Sequence, residues 1–230
     1  MTHPAQFTPS IIHYLSEVMG IPPGARVLDP CAGVGLRLAA LCGERGWRFY
    51  GTDIEAWKGA HPNVSQRDAR DLDFPSNYFD AAVTSVTYAN GLADKGLNMA
   101  DPKGRRTYDL ALGRPLQAGN TGAYGVRQGQ PAYVQYLHLH ARIFEEVHRV
   151  LKPGAYFWLN CSDVIKNGRV IPVTNDNVGC AIAAGFFEIH REKVDTPRYG
   201  FGANAEVRVD GEDVVCLQKQ PRKRPKRASA

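Results

Sequence analysis

Short apolar runs alternate with amphipathic stretches along most of the chain, which is typical of an α/β protein. Helical spacing of apolar residues predicts helices over 8–19, from Leu36 onward, over 132–150 and over 175–184. Thr8 or Ser10 can cap the first of them. A turn is predicted at 166–169 and a loop over 198–210. The remaining apolar runs predict seven strands, at 25–29, 47–53, 62–66, 79–85, 155–161, 186–194 and 212–219.

The first predicted strand runs into a glycine-rich turn. Asp29 ends the apolar run, and Gly33 and Gly35 follow it. Glycine lets the backbone approach a ligand closely, and the helix that begins at Leu36 offers unpaired N–H groups. Leu38 stands where a dinucleotide-binding loop has its third glycine, and the Asp29 carboxylate disfavours a phosphate. The turn therefore predicts a cationic ligand that carries an amino-acid group.

A second acid ends the next predicted strand. Asp53 lies 24 residues after Asp29. In dinucleotide-binding folds, an acid at this place holds a ribose diol. We therefore expect the ligand to contain a ribose.

Three further segments extend this pattern, at Asn63–Ala69, Phe79–Ser85 and His148–Asn160. With them, the chain resembles the class I S-adenosylmethionine-dependent methyltransferases over roughly residues 8–219. The resemblance implies a Rossmann-like, doubly wound, seven-stranded and mostly parallel sheet whose last two strands form an antiparallel hairpin. It also implies a single methyltransferase domain over residues 1–219, with S-adenosylmethionine as the cofactor.

The resemblance assigns parts of the cofactor to particular residues. The glycines of the turn would contact the methionine part, Asp53 the ribose and Asp68 the adenine amino group. The full set of implied cofactor contacts is Thr8, Asp29, Ala32, Gly33, Gly35, Asp53, Ile54, Asp68 and Ala69.

The segment from Ser85 to Tyr88 carries the candidate chemistry. It resembles the catalytic motif of the DNA amino-methyltransferases of the cytosine N4 and adenine N6 types, in which an acid or serine, two prolines and an aromatic residue follow one another. Here Val86 and Thr87 replace both prolines. The resemblance implies that the Ser85 side chain and the Val86 carbonyl accept the two amino hydrogens, while Tyr88 stacks on an extruded base. Further candidates for the same pocket are Asn160, Asp163, Asn204 and Arg208.

Residues 87–131 interrupt the α/β pattern, because they are rich in glycine and have no regular apolar period. Long loops inside compact domains are often functional. We interpret this one as a substrate-facing insertion, and the alternative is a disordered surface loop. Its arginines are predicted to contact nucleic-acid phosphates, and they are Arg105, Arg106, Arg114 and Arg127.

The formal net charge of +5 is concentrated at the end of the chain. Residues 220–230 contain Arg222, Lys223 and Arg224 and are predicted to be a disordered basic tail. The rest of the chain is then close to neutral. The tail either attracts nucleic-acid phosphates or serves solubility.

Composition narrows the class of protein further. No apolar run is long enough to cross a membrane, and residues 1–6 do not resemble a secretory signal. Five cysteines without a C-x-x-C pair favour reduced thiols, hence a cytoplasmic protein. No spacing of histidines and cysteines predicts a metal site.

These observations together predict a methyltransferase that acts on an exocyclic amino group of a DNA base. The alternatives are an RNA amino-methyltransferase, a small-molecule methyltransferase, or a nucleic-acid-binding protein that keeps the fold without the chemistry. DNA is the predicted partner, with RNA as the alternative, and the sequence leaves the oligomeric state open.

Overall fold

The computed structural model describes residues 6–89, 108–126, 129–196, 209 and 211–221. Its main feature is a seven-stranded sheet. The strands are β1 Arg26–Asp29, β2 Arg48–Asp53, β3 Val64–Gln66, β4 Phe79–Ser85, β5 Leu151–Cys161, β8 Phe186–Val194 and β9 Glu212–Lys219. Their spatial order is β3-β2-β1-β4-β5-β9-β8.

The strand directions confirm the predicted sheet. Strands β1 to β5 pair in parallel, whereas β9 runs antiparallel to both β5 and β8. The order reverses between β1 and β4, and in open α/β sheets ligands bind at the carboxyl ends of strands beside such a reversal. Because β9 is antiparallel, its first residue lies at this same edge.

Five α-helices accompany the described strands, and each predicted helix has a counterpart within a few residues. They are α1 Pro9–Val18, α2 Leu36–Glu44, α3 Tyr108–Leu112, α4 Gln130–Val150 and α5 Val173–Ala183. None of the described helices is long and apolar enough to cross a membrane.

Two cores, one on each face of the sheet, hold the helices in place. Neighbouring strand residues alternate between the two cores: Val27 packs with α1 and α2, whereas Leu28 packs with α4 and α5. The same alternation separates Phe157 from Trp158 in β5. Both faces of the central strands β1, β4 and β9 are therefore buried, as in a doubly wound fold, whereas the edge strands β3 and β8 are largely exposed.

The turn predicted at 166–169 is present, but the two short strands that it connects were not predicted. Strands β6 Val164–Lys166 and β7 Arg169–Ile171 form a two-stranded hairpin whose turn is Asn167-Gly168. Both turn residues have positive φ, 51° and 70°, which is the geometry that an Asn-Gly pair favours in a tight hairpin.

The described part of the 87–131 region contains regular structure that the sequence pattern did not predict. It includes helix α3 and a 3-10 helix at Thr121–Ala123. Tyr108 is buried against Trp57 with a ring-centroid distance of 5.9 Å. Because three- to five-residue helices are too short to show a period, only tertiary contacts define these elements.

Candidate active site

A cavity of about 250 Å³ opens at the carboxyl ends of β1, β2 and β4. Nine of the twelve predicted catalytic and cofactor-binding residues line it, namely Asp29, Ala32, Asp53, Ile54, Asp68, Ala69, Ser85, Val86 and Tyr88. The lining residues that sequence reasoning did not assign to the site include Cys31, Trp57, Tyr108, Asn120, Thr121 and Glu212. The sheet topology thus brings the predicted cofactor and catalytic segments into one cavity.

The two glycines of the turn determine its backbone conformation and do not form part of the cavity surface. Gly33 and Gly35 have φ of 56° and 67°, a region that favours glycine. A Cβ on Gly35 would come within 2.7 Å of a Val64 side-chain carbon. Neither glycine is among the residues that line the cavity. Their expected contact with the methionine part of a cofactor therefore stays a prediction.

Thr8 does not line the cavity either. It is the N-cap residue of α1, but its side chain makes no capping hydrogen bond. Its hydroxyl instead lies 3.2 Å from that of Ser10. Of the two residues predicted to cap the helix, Thr8 therefore does not do so through its side chain. The preceding residue, Phe7, does reach the cavity wall.

Asp53 ties the end of β2 to the glycine turn. Its Oδ2 accepts a hydrogen bond from the Gly33 N–H at 2.9 Å. Its Oδ1 accepts from the Glu55 N–H at 2.8 Å and from the Trp57 indole at 3.0 Å. Burial raises the pKa of Asp53 to about 6, and these three hydrogen bonds limit the rise. The carboxylate is held rigidly at the cavity wall, where it was expected to bind a ribose.

Asp68 has a partner that the sequence did not suggest. The Arg70 guanidinium donates to both of its oxygens, with Nε at 2.8 and 3.0 Å. Burial on its own raises the pKa of Asp68, but the hydrogen bonds from Arg70 outweigh it and the pKa is lowered. Arg70 in turn packs against Gly119, where a Cβ would come within 2.3 Å of the guanidinium.

Glu55 anchors the segment that closes one side of the cavity. Its side chain has no exposed surface. It accepts hydrogen bonds from the Gln117 N–H at 2.7 Å, from Arg114 Nη2 at 2.7 Å and from Asn120 Nδ2 at 3.0 Å. Burial acts to raise the pKa of Glu55, but these donors lower it overall. Glu55 was not predicted as a site residue, because its partners lie about 60 positions away in the sequence.

We expect Glu55→Gln to destabilise this segment. The amide replaces one acceptor oxygen by a donor that faces other donors, which costs about 1–3 kcal/mol in the free energy of unfolding. Chymotrypsin should also cleave faster after Leu116, which lies in this segment. Urea denaturation and timed proteolysis measure the two effects, and Glu44→Gln on the exposed face of α2 is the control. Equal cleavage rates in both variants would contradict the anchoring role.

Asp29 lies at the end of β1 and is 1% exposed. Its Oδ1 accepts from the Thr84 hydroxyl at 2.9 Å and from the Cys31 N–H at 3.1 Å. Burial raises the pKa of Asp29 to about 7, although both hydrogen bonds lower it. The folded protein therefore binds a proton at Asp29 between about pH 4 and 7 that the unfolded chain releases.

This difference predicts how Asp29→Asn changes stability with pH. As the pH rises from 4 to 7, wild type loses up to about 1.4 kcal/mol of unfolding free energy per pH unit through Asp29, whereas the variant does not. The variant should therefore gain stability relative to wild type between pH 5 and pH 7. Urea denaturation at both values measures the gap, and a gap independent of pH would contradict the assignment.

Four side chains meet at the end of β4. The Tyr88 hydroxyl donates to Glu212 Oε2 at 2.7 Å and lies 3.2 Å from the Ser85 hydroxyl. Asn160 Nδ2 lies 3.2 Å from Ser85 Oγ, 3.0 Å from Tyr88 Oη and 2.9 Å from Glu212 Oε2. Burial raises the pKa of Tyr88 well above its usual value, and the neighbouring Glu212 carboxylate raises it further. Ser85 and Tyr88 therefore belong to one hydrogen-bonded cluster at the cavity wall.

Hydrogen bonds hold the backbone at Val86 and Thr87, where the motif that this segment resembles has two prolines. The Val86 N–H donates to the Asn160 carbonyl at 3.3 Å, and the Tyr136 hydroxyl donates to the Thr87 carbonyl. The Thr87 hydroxyl donates to that of Thr121 at 3.0 Å. A proline at position 86 has no N–H and cannot make the first of these bonds. These hydrogen bonds anchor the Val86–Thr87 backbone, which two proline rings would otherwise restrict.

The remaining candidates have different outcomes. Asp163 does not line the cavity; its Oδ1 accepts from the Thr174 N–H in the first turn of α5. Arg114 forms an ion pair with Glu55 while its side chain stays 42% exposed, so its nucleic-acid contact remains a prediction. The other basic or loop candidates lie outside the described residues, and they are Arg105, Arg106, Arg127, Asn204, Arg208, Arg222, Lys223 and Arg224.

Sequence reasoning missed Glu212, although a signal was present. An acid precedes the apolar run of β9, and the resemblance already implied that this last strand is antiparallel. The first residue of an antiparallel last strand lies at the edge where the parallel strands end. The predicted topology could therefore have placed Glu212 beside Ser85.

Several solved structures share this fold. A methyltransferase from Methanosarcina mazei is 16% identical, with 95% of this chain and 100% of that chain covered and a TM-score of 0.54. The 1,6-didemethyltoxoflavin-N1-methyltransferase of Burkholderia thailandensis, solved with S-adenosylhomocysteine, is 18% identical, with 92% and 77% covered and a TM-score of 0.51. The cyclase SpnF is 15% identical, with 91% and 80% covered and a TM-score of 0.56.

The chain has the fold of the S-adenosylmethionine-dependent methyltransferases. This agrees with the predicted sheet. None of these three structures is named as a DNA methyltransferase, and one is a cyclase, so the fold leaves the reaction and the substrate open. No family model and no curated protein matches the sequence.

Proposed function

We propose that this protein transfers a methyl group from S-adenosylmethionine to an exocyclic amino group of a DNA base. The observation that carries the proposal is the meeting of an acid-lined cofactor cleft with the Ser85–Tyr88 segment in one cavity. Of the described residues that line this cavity, four are acids and none is lysine, arginine or histidine; the acids are Asp29, Asp53, Asp68 and Glu212.

The charge of the cavity fits this cofactor better than a dinucleotide. S-adenosylmethionine carries a sulfonium and an ammonium group, whereas a dinucleotide carries a pyrophosphate that acids repel. Asp53 lies where it would hold the ribose, and Ile54 beside it offers an apolar surface for the adenine. Asp68 would accept a hydrogen bond from the adenine amino group while Arg70 keeps its carboxylate ionised.

The Ser85–Tyr88 segment supplies the substrate side. An exocyclic amino nitrogen is a poor nucleophile, because its lone pair is delocalised into the base. If Ser85 Oγ and the Val86 carbonyl each accept one amino hydrogen, they draw the nitrogen toward tetrahedral geometry and localise the lone pair. Tyr88 would stack on the base.

Bound S-adenosylmethionine supplies an electrophilic methyl group on its sulfonium. The amino nitrogen held by Ser85 and Val86 would accept this methyl group, forming an N–C bond in place of the C–S bond, whose electron pair would stay on sulfur. The methylated nitrogen then releases one proton to water. The residues of the site need only bind, orient and exclude water, because the sulfonium is already reactive.

The separation of acidic and basic residues within the chain favours a nucleic acid over a small molecule as the substrate. Phosphates fit poorly into the acidic cavity, so only an extruded base would enter it. The arginines of the 87–131 region and of the basic tail would contact the backbone outside it. RNA and small molecules remain as outcomes of the test.

The test is a transfer assay with methyl-labelled S-adenosylmethionine. Unmethylated DNA made by polymerase chain reaction, RNA transcribed in vitro and a metabolite extract are offered separately. The proposal expects label in the DNA. Label in RNA or in a small molecule would correct the substrate, and absence of label from every sample would contradict methyl transfer itself.

A further inference from the structure

Glu212 reaches the catalytic segment from the far end of the chain. It is the first residue of β9, and it lies at the cavity edge because β9 is antiparallel to β5. The residue is 7% exposed and still lines the cavity. A carboxylate in this position stands next to a serine where the related catalytic motif often has an acid.

The carboxylate determines which way the hydrogen bond to Tyr88 runs. An ionised carboxylate can only accept, and a phenol has a single proton. The 2.7 Å contact between Tyr88 Oη and Glu212 Oε2 therefore uses the Tyr88 proton. Asn160 Nδ2, at 2.9 Å from the same oxygen, must likewise present its hydrogens. Both groups face Glu212 as donors.

The direction of this bond fixes the next one. Tyr88 has no second proton, so its 3.2 Å contact with Ser85 requires the serine hydroxyl to donate. Once the Ser85 proton points at Tyr88, the remaining lone pairs of Oγ can only accept. One faces Asn160 Nδ2 at 3.2 Å, which leaves acceptor capacity for a substrate. Without the carboxylate, the serine proton would be free to turn toward the substrate.

We propose that Glu212 is a positioning residue, which orients the hydroxyls of Tyr88 and Ser85 so that Ser85 presents an acceptor oxygen to the substrate amino group. This inference rests on the proposed function, because an amino group offers hydrogens and needs acceptors. A serine proton turned toward it would face another proton and would not localise the nitrogen lone pair.

Glu212→Gln tests the proposal, because the glutamine amide can donate a hydrogen bond to Tyr88. The hydrogen bonds that run from Ser85 through Tyr88 to residue 212 could then run in the opposite direction. We expect kcat for methyl transfer to DNA to fall about tenfold, as for the loss of one hydrogen bond. Affinity for S-adenosylmethionine should stay within about twofold. Asp213→Asn is the matched control: Asp213 is the next residue in β9, is also buried, and contacts Thr174 and Lys193 instead. It should keep kcat.

A double-mutant cycle with Tyr88→Phe separates positioning from packing. If Glu212 acts through the Tyr88 hydroxyl, each single variant and the double variant should all lose about tenfold in kcat. A double variant that loses about a hundredfold shows independent effects and would overturn the proposal. A Glu212→Gln variant with wild-type kcat would overturn it as well.

A second readout does not depend on methyl transfer. Tyrosine labelled with ¹³C at Cζ reports phenol ionisation, and the Tyr88 signal is the one that Tyr88→Phe removes. Burial and the Glu212 carboxylate together raise the pKa of Tyr88, so Glu212→Gln, which removes the carboxylate, should lower it. An unchanged titration would overturn the hydrogen-bond direction. If wild type methylates no DNA while this pKa falls, the proposed function fails and the orientation of the cluster stands.

Discussion

Tyr88→Ala should abolish most methyl transfer while leaving S-adenosylmethionine affinity unchanged. The substitution removes the ring that would stack on the base, a contact worth about 1–3 kcal/mol. It also removes the hydroxyl between Ser85 and Glu212, and loss of one hydrogen bond costs about 1 kcal/mol. Together these losses predict a decrease in kcat/KM of about a hundredfold or more.

Two further variants show whether the loss of activity comes from the ring of Tyr88 and from its place in the cavity. Tyr88→Phe keeps the ring and should retain clearly more activity than Tyr88→Ala. Tyr156→Ala removes a tyrosine that is 37% exposed on β5 and does not line the cavity, so it should transfer methyl groups like wild type. The comparison uses labelled-methyl transfer to DNA alongside calorimetric binding of the cofactor. If Tyr88→Phe is as inactive as Tyr88→Ala, methyl transfer depends on the Tyr88 hydroxyl and not on stacking of its ring.

Asp53→Ala should weaken S-adenosylmethionine binding by about 1.5–3 kcal/mol, as for the loss of a charged hydrogen-bond partner. Asp53 also orients the turn through Gly33 and the loop through Glu55 and Trp57. Asp53→Asn keeps the volume and one acceptor oxygen, so it should lose less affinity than Asp53→Ala.

Calorimetry on folded protein measures both variants. Asp71→Ala is the control, because it removes an exposed acid near the cavity without touching β2. Wild-type affinity in a folded Asp53→Ala variant would remove Asp53 from the cofactor site. A loss shared equally by Asp71→Ala would point to net charge instead of a specific contact.

The sheet could be predicted from sequence because its determinants are local. Each buried strand is a short apolar run, and the glycine turn after β1 marks the crossover to α2. The family resemblance then supplied the doubly wound, mostly parallel arrangement with an antiparallel last hairpin. The β6–β7 hairpin was missed although Asn167-Gly168 is a strong hairpin signal, since both flanking strands have only three residues. Helix α3 has five residues and is too short to show a period.

The residues of the site likewise include some that the sequence could predict and some that it could not. Asp29, Asp53 and Ser85 end strands β1, β2 and β4, which are neighbours in the sheet, so topology predicts that they meet. Glu55 could not be predicted, because its function lies in contacts with Gln117 and Asn120 that no local pattern encodes. Thr8 was assigned from the resemblance alone, and its side chain bonds to Ser10 instead of lining the cavity.

The measurement that tests the central claim most directly is the identity of the methylated nucleoside. Unmethylated DNA would be incubated with the full chain and S-adenosylmethionine carrying a deuterated methyl group, digested to nucleosides and analysed by mass spectrometry. We predict a deuterated methyl on the exocyclic nitrogen of adenine or cytosine, lost in Tyr88→Ala. A methyl on cytosine C5, or no deuterium in any nucleoside, would contradict the account.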